Sequence, residues 1–156
     1  MGVTLATWKS QGYDKDKDGD IDVADLKIIT KEDVKERVLR PHYWNRCKAD
    51  QINDQSVANL LVDWTWTSGV RGIKELQKIL GLTQDGIVGP NTLHAINSHK
   101  SPGLLFAELK NARTAFLKRI GVGSQQKFLA GWLNRQDGIQ YGRLVLNDKG
   151  RTVVTW

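Results

Sequence analysis

Apolar residues recur at helical spacing along most of this chain, and only the C-terminal end alternates as a strand does. Thr4 to Gly12 supplies barely two turns of helix. Thr30-Lys-Glu-Asp33 reads as a helix start, with Thr30 as cap and Asp33 at the third position. Val34, Val38 and Leu39 continue one apolar stripe until Pro41, which is expected to break or kink the helix before His42-Tyr43-Trp44. Ser56 to Ser68 is apolar nearly all round, the pattern of a central buried helix, and Gly69 ends it. A further helix holds Ile73, Leu76, Ile79 and Leu80, with Gly81 as its stop.

The glycines of Asp85-Gly-Ile-Val-Gly-Pro90 predict a tight turn, and Pro90 begins a helix that continues through Leu93 and Ile96. Ser101 to Ile120 is a long amphipathic helix with Leu105, Leu109, Ala112, Phe116 and Ile120 on one face. Gly121-Val-Gly123 separates it from a last helix containing Phe128, Trp132 and Leu133. Arg143-Leu-Val-Leu and Arg151-Thr-Val-Val-Thr then form two short strands around the turn Asn147–Gly150, a β-hairpin. An isolated hairpin is marginal, so it is expected to pack on the helices or on another chain; homo-oligomerisation through it follows from the second option. The fold class is mainly α.

Composition narrows the class only a little. Of the 156 residues 40% are hydrophobic and 26% charged, ordinary values for a globular protein with one well-buried core. No apolar run approaches the roughly 18 residues of a membrane span. No signal peptide is visible, so cytoplasmic synthesis is expected. The single Cys47 cannot form an internal disulfide and is expected to act as a small buried hydrophobe. The net charge of +6 is uneven: from Lys100 onward ten Lys/Arg face three acids. Such a basic half suits an anionic polymer, but charge alone selects no partner. Nucleic acid would require one continuous basic stripe, and none is expected as a partner.

Asp14-Lys-Asp-Lys-Asp-Gly-Asp-Ile-Asp-Val-Ala-Asp25 carries specific chemistry. It reads as a twelve-residue calcium loop of EF-hand type. Asp14, Asp16 and Asp18 take the first, third and fifth positions, Gly19 the sharp turn, Asp20 offers its carbonyl, Asp22 acts through water and Asp25 closes the loop. Six carboxylates this close repel one another unless a hard cation sits among them. Position twelve is Asp where sensor loops carry Glu, which predicts weaker or one-oxygen coordination. One loop without a second of its kind predicts a structural calcium clip rather than a sensor.

Several landmarks in one order then resemble the N-acetylmuramidases of glycoside hydrolase family 108, also known as secretion activator proteins. They are Gly2-Val-Thr-Leu-Ala-Thr-Trp8, the loop at 14–25, His42-Tyr-Trp-Asn-Arg46, and Asn59-Leu-Leu-Val-Asp63-Trp64-Thr-Trp66-Thr-Ser-Gly69. Asp85-Gly-Ile-Val-Gly-Pro90 and Gly131-Trp-Leu-Asn-Arg135 complete the series. The resemblance covers roughly residues 2–138 and implies a lysozyme-like helical fold. It implies three regions: the remainder of the muramidase region with its calcium loop (1–56), a peptidoglycan-binding helical region (57–138), and the hairpin tail (139–156). Bacterial peptidoglycan is the implied partner. The implied reaction is hydrolysis between N-acetylmuramic acid and N-acetylglucosamine at the cell wall or periplasm, as in phage-type lysis.

The family's catalytic Glu lies in a Glu-Gly-Gly motif just ahead of the Gly-Val-Thr match, which here begins at Gly2. The resemblance therefore puts the catalytic residue upstream of Met1, and this chain is expected to have little or no lytic activity. A glycosidase acid needs a raised pKa in a partly apolar pocket. Glu32, Glu36, Glu75 and Glu108 instead fall at a helix start or among Lys and Arg. Asp63, on the apolar central helix, is the one carboxylate expected to be buried, with a helix-bridging role favoured over sugar contact. Sugar binding remains open without chemistry, because aromatic faces stack on pyranose rings. Tyr43, Trp44, Asn59, Asp63 and Trp66 are the candidate substrate contacts; Trp64 and Trp132 are expected mainly in the core. Two rival classes are a non-catalytic peptidoglycan-binding module and a calcium-dependent interaction protein using the hairpin edge.

Overall fold

The computed structural model describes residues 3–147 and 151–156, and it divides into two compact units, Met1–Arg46 and Cys47–Trp156. Gly2 of the Gly-Val-Thr match and Asp148–Gly150 of the expected hairpin turn lie outside the described residues.

The first unit opens with α1 (Leu5–Gln11), whose N-cap Thr4 accepts from Thr7 N–H. Trp8 of α1 is fully buried and donates its indole N–H to the carbonyl of Tyr13 at 3.1 Å, which fixes the entry into the acidic loop. Helix α2 (Val23–Ile28) starts at a capping box of Asp22 and Asp25, and α3 (Lys31–Val34) at a capping box of Thr30 and Asp33. The helix does not break at Pro41 as the sequence predicts. It continues from α3 as a ten-residue π-helical stretch, Lys35–Trp44, with Pro41 inside it, and Asn45 N–H reaches the Arg40 carbonyl at 2.9 Å. Pro41 has no N–H, and its ring crowds the carbonyl four residues back; the wider turn relieves that conflict without ending the helix.

The second unit is built on α4 (Gln55–Ser68), with α5 (Arg71–Ile79), α6 (Pro90–Asn97), α7 (Pro102–Ile120) and α8 (Gln126–Asp137) around it. Asp54 caps α4 through Val57 N–H at 2.9 Å. Val57, Leu60, Leu61 and Trp64 of α4 are fully buried with Ile73 and Leu76 of α5 and Leu105 and Leu109 of α7. Each such aliphatic side chain contributes about 1.5–3 kcal/mol on leaving water. Cys47 is fully buried, as expected, with its thiol 3.4 Å from the Thr65 hydroxyl.

The Asp85–Pro90 turn is held by a buried amide. Gln77 of α5 gives its Nε2 to Asp85 Oδ1 at 2.6 Å, to the Ile87 carbonyl at 3.0 Å and to Thr92 Oγ1 at 3.2 Å, while its Oε1 accepts Gly86 N–H at 2.9 Å. Gly86 sits at φ +77°, a conformation that L side chains rarely adopt. Pro90 begins α6, as predicted.

The tail is a three-stranded antiparallel sheet rather than a bare hairpin: β1 (Ile139–Gln140), β2 (Arg143–Asn147) and β3 (Arg151–Thr155) in that order. It packs on this unit's helices. Tyr141 Oη donates to Asp54 Oδ2 at 2.8 Å, Gly142 N–H to Ser56 Oγ at 2.9 Å, and Lys110 Nζ to the Ile139 carbonyl at 2.6 Å. Ile139 and Val145 are buried, whereas Val153, Val154 and Trp156 are exposed.

Candidate functional site

Asp63 is the residue from which the site grows. It lies on α4 among fully buried Leu60, Leu61 and Trp64, where a carboxylate needs partners to be tolerated. Arg113 of α7 donates Nη2–H to Asp63 Oδ2 at 2.6 Å. Arg135 of α8 donates Nη2–H to Oδ1 at 2.6 Å and Nε–H to the same oxygen at 3.1 Å. Arg113 also reaches Thr67 Oγ1 at 3.2 Å. One carboxylate therefore joins three helices.

The two arginines differ in setting. Arg113 is 2% exposed and Arg135 53%. Burial pushes the Arg113 guanidinium below its ordinary pKa, and the Asp63 charge opposes that shift. Arginine keeps its proton even so. Nε and Nη1 of Arg113 are buried and have no hydrogen-bond partner among the described residues.

The two arginines and Thr67 border a cleft of about 260 Å³. Trp66, Thr67, Arg113, Trp132 and Arg135 line it, and Leu117 and Ile120 complete an apolar wall. The Trp132 ring stacks on Phe128, with centroids 6.0 Å apart and planes 26° from parallel. A broader depression of about 570 Å³ lies near Ile79, His99 and Leu104, but no charged side chain that lines it is buried. The smaller cleft is the one with built chemistry.

The sequence reading and the structure meet in part here. Trp66 lines the cleft, and Asp63 is joined to it through Arg113 and Arg135, which also line it. Asn59 does not line it; its side-chain oxygen accepts from Gln55 Nε2 at 2.8 Å along the same helix. Tyr43 and Trp44 are half-buried on the π-helical stretch of the first unit. Trp64 is in the core as expected, but Trp132 stands in the cleft wall. Asp63 is not the most buried carboxylate, because Asp25 is fully enclosed while the Asp63 side chain is 18% exposed.

Arg113 and Arg135 were not among the predicted site residues. Arg113 displaces the expected apolar face of α7, whose buried residues are Leu105, Phe106, Leu109, Arg113 and Leu117 in place of Phe116 and Ile120. A signal was present: Arg113 lies four residues from both Leu109 and Leu117, so a charge stands in register with an apolar stripe.

In the first unit, one carboxylate oxygen each from Asp14, Asp16 and Asp18 falls within a 4.8 Å group, a hard-oxygen set that fits calcium. Gly19 makes the turn at φ +105°. Asp14 Oδ1 accepts Lys17 N–H at 2.6 Å, and Oδ2 accepts Gly19 N–H at 2.9 Å. Burial, with nearby Asp18 and Asp25 charge, raises the Asp16 pKa. That group consists of carboxylate oxygens; Asp20, expected to offer its backbone carbonyl, and Asp25 stand outside it. Asp25 accepts N–H bonds from Lys15 at 2.5 Å, Asp22 at 2.8 Å and Asp16 at 3.3 Å, which hold its carboxyl below the usual range. Three such bonds leave about one lone-pair direction for an ion.

Glutamates offer no buried acid. Glu32 and Glu36 pair with Lys35 at 2.8 and 3.4 Å, Glu75 pairs with Arg71 at 3.5 Å, and Glu108 is exposed.

Comparison with known proteins gives this arrangement a class. Residues 1–69 match the Glycosyl hydrolase 108 family and residues 71–137 the Predicted Peptidoglycan domain. The structure is similar to that of Brucella abortus SagA, with 32% identity and a TM-score of 0.70, over 88% of this chain and 74% of that one. No curated protein matches. The class is a peptidoglycan-related, muramidase-family protein. The chain belongs to the glycosyl hydrolase 108 family, with a peptidoglycan domain following the hydrolase match.

Proposed function

We propose that this chain binds peptidoglycan at the bacterial cell wall and that the residues in hand serve binding rather than bond cleavage. One observation carries the reading: the cleft at the end of α4 takes most of its lining from α7 and α8, both inside the residues that match the peptidoglycan domain. Its indole rings supply flat apolar faces for pyranose rings, and its guanidinium groups supply hydrogen-bond donors. The family's chemistry is hydrolysis of the N-acetylmuramic acid to N-acetylglucosamine linkage on a lysozyme-like scaffold. In this chain Asp63 is paired with Arg113 and Arg135, each at 2.6 Å, which is not the partly apolar setting that a general acid requires.

The loop at 14–25 is proposed as a structural calcium site. Asp14, Asp16 and Asp18 would hold the ion, and Asp25 would add at most one oxygen. The bound cation would supply charge neutralisation and take no part in glycan chemistry.

Co-sedimentation with insoluble peptidoglycan sacculi tests the binding reading. The chain should pellet with sacculi in the presence or absence of chelator and release no new reducing ends. A chain that stays in the supernatant overturns the proposal. Lytic release abolished by Asp63→Asn overturns the assignment of Asp63.

A further inference from the structure

We propose that the cleft walled by Trp66, Arg113, Trp132 and Arg135 is a carboxylate subsite for the acidic stem peptide of peptidoglycan. This rests on the peptidoglycan reading above and names the part of the polymer that the cleft takes. Two guanidinium groups border the cleft and a single carboxylate, Asp63, neutralises one of them. One positive charge is left over, which matches a monoanion.

Arg113 also has donors that the protein leaves unsatisfied. Arg113 is 98% buried on the cleft wall, and its Nε and Nη1 have no partner among the described residues. An arginine that served only to bridge helices would gain by satisfying all its N–H groups from protein acceptors, since an unpaired buried donor is costly. Arg135 approaches from the opposite helix and is half in solvent, so a ligand can share it with Asp63. Guanidinium groups bind carboxylates through paired N–H bonds with a geometry that uncharged sugar hydroxyls do not match.

Size decides how much of the polymer enters. Whole drug-sized ligands occupy about 300–1,000 Å³. At about 260 Å³ the cleft holds a fragment, namely a carboxylate with the group next to it, against the Trp66 and Trp132 rings and the Leu117 and Ile120 side chains. The glycan strand then lies outside the cleft.

The test uses the whole chain and two soluble probes: N-acetylmuramyl-L-alanyl-D-isoglutamine, which has a free carboxylate, and its carboxamide analogue. Binding is read by NMR titration of the Trp132 and Arg135 side-chain N–H signals. The acid should bind about tenfold more tightly than the amide, the ratio expected from one charge-assisted hydrogen bond. Arg135→Gln, an exposed position that leaves the Asp63–Arg113 pair, should weaken the acid about tenfold and leave the amide unchanged. Lys78→Gln on α5 should change neither. Equal affinity for acid and amide, or an Arg135→Gln variant that binds the acid as the parent does, overturns the subsite. Sacculus binding separates the two levels: if the parent pellets with sacculi while acid and amide bind alike, only the subsite fails. Failure to pellet removes the peptidoglycan reading itself.

Discussion

Arg135 Nη2 and Asp63 Oδ1 stand 2.6 Å apart although 72 positions separate them in the chain. Asp63 thereby fastens α8 to α4, and through Arg113 it fastens α7 as well. The two arms are unequal. Arg113 is enclosed, so removing its counter-ion leaves a buried cation, which costs about 3–5 kcal/mol. Arg135 is exposed, and an exposed ion pair contributes about 0–1 kcal/mol. Asp63→Ala should therefore lower the thermal midpoint severely, and Arg135→Ala by a few degrees at most. Parallel melting curves check this; equal losses in the two variants would contradict the asymmetry.

Gln77 governs a different part of the second unit. Its amide gathers Asp85, Gly86, Ile87 and Thr92, so the turn before α6 has its buried polar groups satisfied by one side chain. Gln77→Leu keeps the volume but leaves Gly86 N–H and the Ile87 carbonyl without that partner. A loss of about 2 kcal/mol is expected in denaturant unfolding, with an unchanged m-value because the folded unit stays compact. Hydrogen exchange should quicken first at Gly86.

Most helices of the second unit were legible because their signals are local. Gly69, Ser101 and Pro90 cap or start them, and the apolar stripes repeat every three to four residues. The π-helical stretch was not, because Pro41 ordinarily ends a helix and nothing nearby announces a widened turn. Strand β1 is two residues long, too short for any alternation to show. The cleft was half legible. Asp63 and Trp66 stand out on an apolar helix, whereas Arg113 and Arg135 become site residues only once α7 and α8 fold back onto α4. Asn59 does not line this cleft, because helical spacing puts two residues on one face without saying how far along it a cleft extends.

Acid should weaken the first unit through Asp33. Its carboxyl accepts the Thr30 N–H at 2.8 Å, pairs with Lys15 at 3.0 Å and accepts the Tyr13 hydroxyl at 2.8 Å. These contacts, the Thr30 amide foremost, hold its pKa well below the ordinary 3.8. The unfolded chain thus takes up a proton at a pH where the native carboxylate stays ionised. The stabilisation is complete above the ordinary value and is lost as pH falls through the lower native one. Unfolding midpoints measured from about pH 6 down to pH 2 should fall less steeply in Asp33→Asn than in the parent. Curves of identical slope would remove Asp33 from the acid response.

Calcium removal tests the loop independently of any glycan. Asp14, Asp16 and Asp18 bring three carboxylate oxygens together on a turn organised by its own N–H bonds, and Lys15 with Tyr13 already ties that turn to Asp33. The loop is therefore pinned to α3 without metal, so chelation should soften the first unit rather than unfold the chain. Calcium bound only by the native state stabilises it by about 2.7 kcal/mol when free ion exceeds the dissociation constant a hundredfold. Excess chelator should lower the melting midpoint of the parent, and calcium should restore it. Asp16→Ala should melt near the chelated parent with or without calcium. A parent whose midpoint ignores chelator, and which carries no ion by native mass spectrometry, would leave 14–25 an acidic turn held by Asp25, Tyr13 and Lys15 alone.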